Sequence, residues 1–482
     1  MTDLALLSAE DLLALYRTGA ATPVDALQAV TERIARLNPA LNAFALLDPR
    51  ALAAAHESRQ RWHAGRPIGP LDGVPTTVKD LVDLAGHPTR RGSRTTPTTP
   101  AEHDAPLVTG LKNAGAIIIG KTTTTEFGWK SPGDCPLHGI TRNPRNPAYT
   151  TGGSSSGAGA AAAAGFGPLH VGTDAGGSVR IPAAWCGVVG LKPSFGRIPQ
   201  WPLGAFASVA CAGPMARTVR DTALMLGAMA VHDWRDPFSL PPTNTHWRAK
   251  PRSWLHGIED GVEGLRIAVL KNPGFEAPID PAGIAAVEQA AQILAQAGAH
   301  LEEVDPNLPN TGHLFTQLWS TALRLVVMNT PEAQRPLLDA GLMDLAAMPE
   351  PSGTAMMQAA AQQIATAHAM AKLHQTYDLV LCPTVPGPPP LADSPTTDPV
   401  HSLLNHWAPW TFAFNLSRQP AISLPIALGA NNLPTSIQLA AALYRDDLVL
   451  RAARTIESAL PPLPPAGEGR GEGPTTSTEP HQ

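Results

Sequence analysis

Gly172-Thr173-Asp174-Ala175-Gly176-Gly177-Ser178-Val179-Arg180 sets two glycines immediately before a serine. Glycine lets the main chain turn sharply and approach a bound molecule closely, and the amides of such a turn aim at one point. An oxygen that is developing negative charge requires that arrangement. Ser178 is therefore a candidate nucleophile toward an acyl carbon, with the oxyanion received by some of the N–H groups of Ala175, Gly176, Gly177 and Ser178. Asp174 and Arg180 flank the turn with opposite charges and are expected to fix it by pairing with each other or with backbone. A plain Gly-Gly turn has the same composition, so the stretch needs partners elsewhere in the chain.

Upstream lies Thr151-Gly152-Gly153-Ser154-Ser155-Ser156-Gly157-Ala158-Gly159, followed by alanines from Ala160 to Ala164. Three successive hydroxyls thus open a helix of small residues. A flexible Ser/Gly linker shares this composition, yet linkers do not normally lead into an Ala-rich packing helix. Two motifs inside the stretch are decoys. Gly153-Ser154-Ser155-Ser156-Gly157 matches G-x-S-x-G, whose nucleophile elbow must follow a buried strand, and the preceding Asn143-Pro144-Arg145-Asn146-Pro147-Ala148-Tyr149 does not read as one. Gly157-Ala158-Gly159-Ala160-Ala161-Ala162 resembles part of a dinucleotide fingerprint and fails for the same missing strand.

Further upstream, Gly69-Pro70-Leu71-Asp72-Gly73-Val74-Pro75-Thr76-Thr77-Val78-Lys79-Asp80 carries one of only eight lysines in the chain. Lys79 follows apolar Val78 in a run that reads as a short buried strand. A lysine beside an aspartate is ordinarily a solvated surface charge.

The three stretches together resemble the amidase signature family, whose catalytic set is a lysine, a serine in a cis peptide and a nucleophilic serine. The resemblance places the lysine of the G-V-P-x-x-V-K-D run on Lys79, the bridging serine of the G-G-S-S run on Ser154 and the nucleophile of G-T-D-x-G-G-S-x-R on Ser178. Ser155, Thr173, Asp174 and Arg180 fall in supporting positions. The match runs roughly from Leu71 to Arg220, with weaker echoes at Asp378 to Pro386 and Asn415 to Leu439. Arg418 stands where the family commonly has glycine, which leaves the pocket undefined there. The resemblance implies that Ser154 relays a proton from Ser178 to Lys79 and later returns it to the departing nitrogen. A lysine of ordinary pKa, ~10.4, is neutral only about once in 2,500 molecules at pH 7, so burial must lower it. The expected activity is hydrolysis of carboxylic amides through an acyl-enzyme on Ser178, with no cofactor and no metal.

Around these motifs the chain alternates between two patterns. From Ser8 to about Ala64, Leu12, Leu13, Leu15, Tyr16, Val24, Leu27, Val30, Ile34 and Leu37 recur at helical steps, which predicts an N-terminal helical segment over residues 1–64 packed on the core. After Pro67, short apolar runs at Ala116–Ile119, Val188–Leu191, Leu265–Leu270, Leu379–Leu381 and Ala421–Ile426 read as strands. Helices are expected at Ala105–Ala114, Val219–Val231, Ala282–Ala297 and Asp447–Leu460. The alternation is of α/β type, and with the resemblance it implies one large catalytic domain over residues 65–460, a mixed sheet with helices on both faces. His232 to Gly264 is polar and reads as a long surface connection or a subdomain boundary. From Pro461 the composition is Pro, Gly, Glu, Ser and Thr, which predicts a disordered tail over 461–482.

Composition excludes several other functions. With 43% hydrophobic and 16% charged residues and a formal charge of −5, the chain is a globular protein poorly suited to neutralising nucleic-acid phosphates. Cys135, Cys186, Cys211 and Cys382 are widely separated and form no C-x-x-C pair, so reduced thiols in the cytoplasm are expected. The first eleven residues lack the basic start of a signal peptide, and no run of eighteen apolar residues suggests a membrane span. The expected partner is a small-molecule amide, with neither nucleic acid nor membrane involved and a homodimer left open.

Aromatic residues near the motifs include Phe127, Trp129, Trp185, Trp201 and Phe206, then Trp407, Trp410, Phe412 and Phe414. Most are expected in the core, with Trp129 and Phe127 taken as pocket wall together with one of the later group. An apolar acyl or aryl amide is favoured, with esters and carbamates sharing the acyl-serine step. A glutamine-hydrolysing subunit of a tRNA amidotransferase ranks lower, because the E-V-K-R-R run typical of such subunits is not found. A nucleotide-binding module ranks lower still, since G-K-[ST] is missing.

Overall fold

Side chains on a strand alternate between its two faces, and here that alternation sorts the core into two halves. Leu379, Leu381, Ile422, Leu424, Ile437 and Leu439 belong to one apolar cluster, while Val380, Cys382, Ala421 and Ala440 from the same strands belong to another. The first half packs against helices Val219–Met229, Pro281–Gln296 and Asp446–Ala459. Helices Gly353–Leu373 and Phe412–Leu416 contribute Met370 and Phe414 to the second half. Helices therefore cover both faces of the sheet.

This computed structural model describes residues 3–241, 253–275, 277–278, 280–306, 308, 311–394 and 398–467. Among them, one sheet holds eleven strands: β1 (Phe44–Leu47), β2 (Pro75–Lys79), β3 (Ile117–Thr122), β4 (Leu169–Asp174), β5 (Val189–Lys192), β6 (Cys211–Ala216), β7 (Arg266–Val269), β8 (His300–Glu303), β9 (Leu379–Pro383), β10 (Ala421–Leu428) and β11 (Pro434–Ala441). Their spatial order is β1-β3-β2-β4-β6-β5-β10-β11-β9-β7-β8. The pairs β2/β3, β2/β4, β7/β8 and β7/β9 are parallel and the rest antiparallel, so the sheet is mixed, as expected. The five strands and four helices read from the sequence all form, with ends displaced by at most a few residues.

Helix Ser156–Ala164 is buried at all nine positions. It is apolar and small all round, as a helix must be to lie between two packed surfaces. Ala160, Ala161 and Ala164 meet the N-terminal helices, and Ala158, Ala162 and Ala163 meet Val179, Ala183 and Met215. This sandwich holds the serines just before the helix in fixed positions relative to the sheet.

Two expectations need correction. Residues 1–64 are not helical throughout: between helices Pro23–Leu41 and Ala51–His63, β1 pairs antiparallel with β3 at the sheet edge. Four residues are too few to show a strand period against flanking helical patterns. The tail, expected to be disordered from Pro461, runs as a strap against the domain as far as Gly467. Ala466 is buried, its amide donates to Ala163 O at 3.4 Å, and Arg33 Nη2 donates to Ala466 O at 3.3 Å. Backbone bonds, the arginines Arg33 and Arg145 and the packing of Ala466 among alanines hold it, and composition does not display these contacts. The rest of the expected tail lies outside the described residues. The polar connection after His232 begins firmly attached, with Asp236 Oδ2 accepting from Gln200 N–H at 2.9 Å and Phe238 packed on Phe195.

Ala466→Asp would bury a carboxylate among alanines, and the expected loss of stability is more than about 1 kcal/mol in urea unfolding. An unchanged midpoint would show that the strap is not held.

Candidate active site

The carboxyl end of β2 delivers Lys79, and the end of the parallel neighbour β4 delivers Thr173 and Asp174. Crevices beyond the carboxyl ends of parallel strands are common ligand sites. The Ala-rich helix begins immediately after Ser155 and brings its serines to the same place. Lys79 Nζ lies within hydrogen-bond distance of Ser154 Oγ at 2.8 Å, Ser155 Oγ at 2.9 Å and Thr173 Oγ1 at 2.9 Å. The Gly153–Ser154 peptide is cis. Ser155 Oγ also accepts from Thr173 N–H at 3.2 Å, and Ser155 N–H donates to Ser178 O at 3.2 Å. Ser154 and Ser178 line one pocket, with no direct hydrogen bond between their hydroxyls.

Lys79 is completely buried. Burial pushes its pKa well below the ordinary lysine value, and the negative charge of Asp174 opposes this only in part. The adjacent carboxylate is spent elsewhere: Asp80, itself buried, pairs with Lys121 Nζ at 2.8 Å. The amine therefore faces hydroxyl and carbonyl oxygens only. His170, also on β4, is bonded through Nδ1 to Thr77 Oγ1 and through Nε2 to Gly167 O, and burial pushes it down to about 3.

The glycine turn is held from below. Asp174 Oδ1 accepts from Gly177 N–H at 2.8 Å and Oδ2 from Val179 N–H at 3.2 Å. Arg180 grips both carboxylate oxygens at 3.0 Å, and its Nη1 reaches Thr411 O and Gln438 Oε1 while Nη2 reaches Asn415 Oδ1. Burial alone would raise the Asp174 carboxyl, but Arg180 and Asn415 hold it well below the usual range. Both glycines are required by space. A Cβ on Gly176 would come 2.5 Å from Phe315 Cζ, and one on Gly177, at φ +128°, would come 2.4 Å from Thr411 Oγ1. Since the Gly177 amide is committed to Asp174, the amides of Ala175, Gly176 and Ser178 are the ones left without a protein acceptor among the described residues.

The pocket over Ser154 and Ser178 has a volume of about 130 Å³ and is walled by Phe127, Phe206, Leu203 and Val326, among others. Phe127 is therefore where the sequence places it, and Trp129 is not. Trp129 is fully buried behind the site, edge-on to Trp407 at 6.0 Å, with Trp319 Nε1 donating to its carbonyl. Phe127, inside the 3-10 turn Glu126–Gly128 at φ +50°, packs on the edge of the apolar cluster and lines the pocket, whereas Trp129 is buried within that cluster. The later aromatics Trp407, Trp410, Phe412 and Phe414 are all core. Phe206, its ring 4.1 Å from that of Trp319, takes the wall position instead. Arg418 lies outside this pocket: it has φ +65°, the left-handed conformation glycine favours, and its guanidinium rests 4.5 Å from the Phe195 ring.

Thr411, Asn415 and Gln438 anchor Arg180 from more than 230 residues away along the chain. No local pattern marks them as site residues, although two fall in the Asn415–Leu439 echo. Arg91, which also lines the pocket, is visible in the sequence only as half of a basic doublet.

A buried amine within hydrogen-bond distance of one serine, beside a second serine next to amides without an acceptor, brings the residues singled out in the sequence to one place. The amidase family model matches residues 25–450, and the chain belongs to the amidase signature family. It is 35% identical to an acylamidase of Rhodococcus erythropolis over 94% of this chain and 96% of that one. It is 30% identical to a glutamyl-tRNA(Gln) amidotransferase subunit of Lachnospira eligens over 94% and 98%. A bacterial aryl acylamidase belonging to the amidase signature enzymes superposes with a TM-score of 0.85 at 26% identity, covering 94% of this chain and 96% of that one. The protein is a hydrolase of amide C–N bonds.

Asp174→Ala leaves Arg180 buried without its carboxylate, and the expected cost is about 3–5 kcal/mol in denaturant unfolding. Because the folded pKa of Asp174 is depressed, its contribution is complete above about pH 4, the unfolded value, and is lost as pH falls toward the folded value. A variant as stable as wild type at pH 7 would contradict this account of the turn.

Proposed function

We propose that Ser178 is the nucleophile, Ser154 the relay and neutral Lys79 the base in amide hydrolysis. The observation that carries the reading is the fully buried Lys79 amine 2.8 Å from Ser154 Oγ, with no carboxylate in contact. The Ser178 oxygen forms a bond to the acyl carbon while its proton passes to Ser154 Oγ, whose own proton passes to Lys79. The amides of Ala175, Gly176 and Ser178 receive the oxyanion. On collapse the C–N bond breaks, the leaving nitrogen takes a proton from Ser154, and Lys79 restores it. Water then repeats the sequence to release the acid. The missing Ser154–Ser178 bond fits a resting site, since such contacts commonly tighten only with substrate bound.

The apolar pocket walls favour acyl or aryl amides, with esters and carbamates open to the same step. The acylamidase relatives support that choice over glutamine. Four free, buried cysteines support a cytoplasmic setting, and among the described residues no helix is long and apolar enough to cross a membrane.

Ser178→Ala is expected to lose on the order of 10³-fold or more in kcat and to lose labelling by a fluorophosphonate, while a chelator leaves the wild-type rate unchanged. Continued labelling of that variant at Ser155 would overturn the assignment. Lys79→Ala is expected to be similarly impaired. In wild type the neutral amine is the active form, so kcat/KM rises with pH through the lowered Lys79 pKa and then levels. A flat profile, or full activity without Lys79, would remove the base from the scheme. Anilides should be hydrolysed faster than glutamine, and ammonia release from glutamine at a comparable rate would favour the amidotransferase reading.

A further inference from the structure

Arg91 is the one charged side chain among the described residues lining the pocket that holds Ser154 and Ser178. Its backbone occupies the left-handed region at φ +52°, held there by two bonds: its N–H donates to Asp80 O at 3.0 Å, and its carbonyl accepts from Phe127 N–H at 2.9 Å. A non-glycine residue kept in that conformation by its surroundings is commonly found where a side chain has to be aimed. The neighbouring Arg90 is engaged with Thr96 Oγ1 and Ser93 O. The buried Arg180 and Arg217 bond several acceptors each. The half-buried Arg91 guanidinium has no hydrogen bond, ion pair or ring partner among the described residues.

We propose that Arg91 is a specificity residue that receives a carboxylate carried by the substrate a few atoms from the scissile carbonyl. This rests on the reading of the site as an amide hydrolase. A guanidinium presents paired donors that match a carboxylate, and low-dielectric walls strengthen the attraction. Phe127, Phe206, Leu203 and Val326 surround the charge with apolar surface. The matching substrate therefore has an apolar body and a single acidic terminus, and the small volume of the pocket limits the spacer to a few carbons.

The test compares two matched pairs of amides. Glutaryl 4-nitroanilide is set against pentanoyl 4-nitroanilide, and N-pentanoyl-4-aminobenzoate against N-pentanoyl-4-toluidine. Wild type is expected to favour the acidic member of at least one pair by about tenfold or more in kcat/KM, with a KM for that member that rises with ionic strength. In Arg91→Gln the ratio collapses toward one, and Arg91→Lys recovers part of it, whatever the absolute rates. A wild-type preference for the neutral member of both pairs, or a ratio unchanged in Arg91→Gln, would overturn the proposal. Binding of the same four compounds to Ser178→Ala, followed calorimetrically, separates the two readings. If wild type hydrolyses none of them, the hydrolase reading fails, and tighter binding of the acidic members, lost on adding Arg91→Gln, still upholds the role of Arg91. Equal binding of acidic and neutral members refutes it.

Discussion

Everything in this site depends on one lysine amine placed where water cannot reach it and no carboxylate touches it. Moving an ammonium out of water is costly unless an opposite charge accompanies it. Lys79 is fully buried among three hydroxyls and a carbonyl, and that burial works against its charged form. A neutral amine is a base, and an ammonium in the same position would be only a hydrogen-bond donor. The adjacent Asp80 could have undone this by ion pairing, but the strand end turns it toward Lys121.

The second requirement is a turn stiff enough to hold its free amides in place around Ser178. Asp174 provides it by accepting from the turn's own N–H groups while Arg180 fixes the carboxylate from below. Charges are thus segregated. The pair beneath the turn is mutually satisfied, and Asp174 is the charge that acts on Lys79, raising its pKa against the larger effect of burial. Distant segments take part as well, because Thr411, Asn415 and Gln438 complete the Arg180 shell and Phe315 closes against Gly176.

The parts of the site legible in the sequence were those set by local backbone demands. Glycines before Ser178, hydroxyls before an Ala-rich helix, and a lysine at the end of a short strand each occupy contiguous residues, and the structure gathers them. The α/β class followed from apolar runs alternating with helical patterns. What composition and spacing could not convey was set by long-range packing. Trp129 and Phe127 lie two residues apart yet face different environments, one within the apolar cluster and the other at its edge and in the pocket wall, and Phe206 reaches the pocket by stacking on a helix more than a hundred residues away. β1 was hidden by its shortness, and the strap ending at Gly467 by bonds that its own residues do not advertise. Arg418 shows the opposite case: the position keeps the left-handed φ that glycine favours, and the arginine there rests on an aromatic ring away from the pocket.

The charge state of Lys79 can be read directly. With lysine labelled at Cε and Nζ, heteronuclear NMR would follow eight side chains, and the Lys79 signal is assigned by its loss in Lys79→Met. The expected signal titrates well below the ordinary lysine range and belongs to the neutral amine at the pH of full activity. A Lys79 signal that stays protonated until about pH 10, in an enzyme fully active at pH 8, would contradict a neutral base.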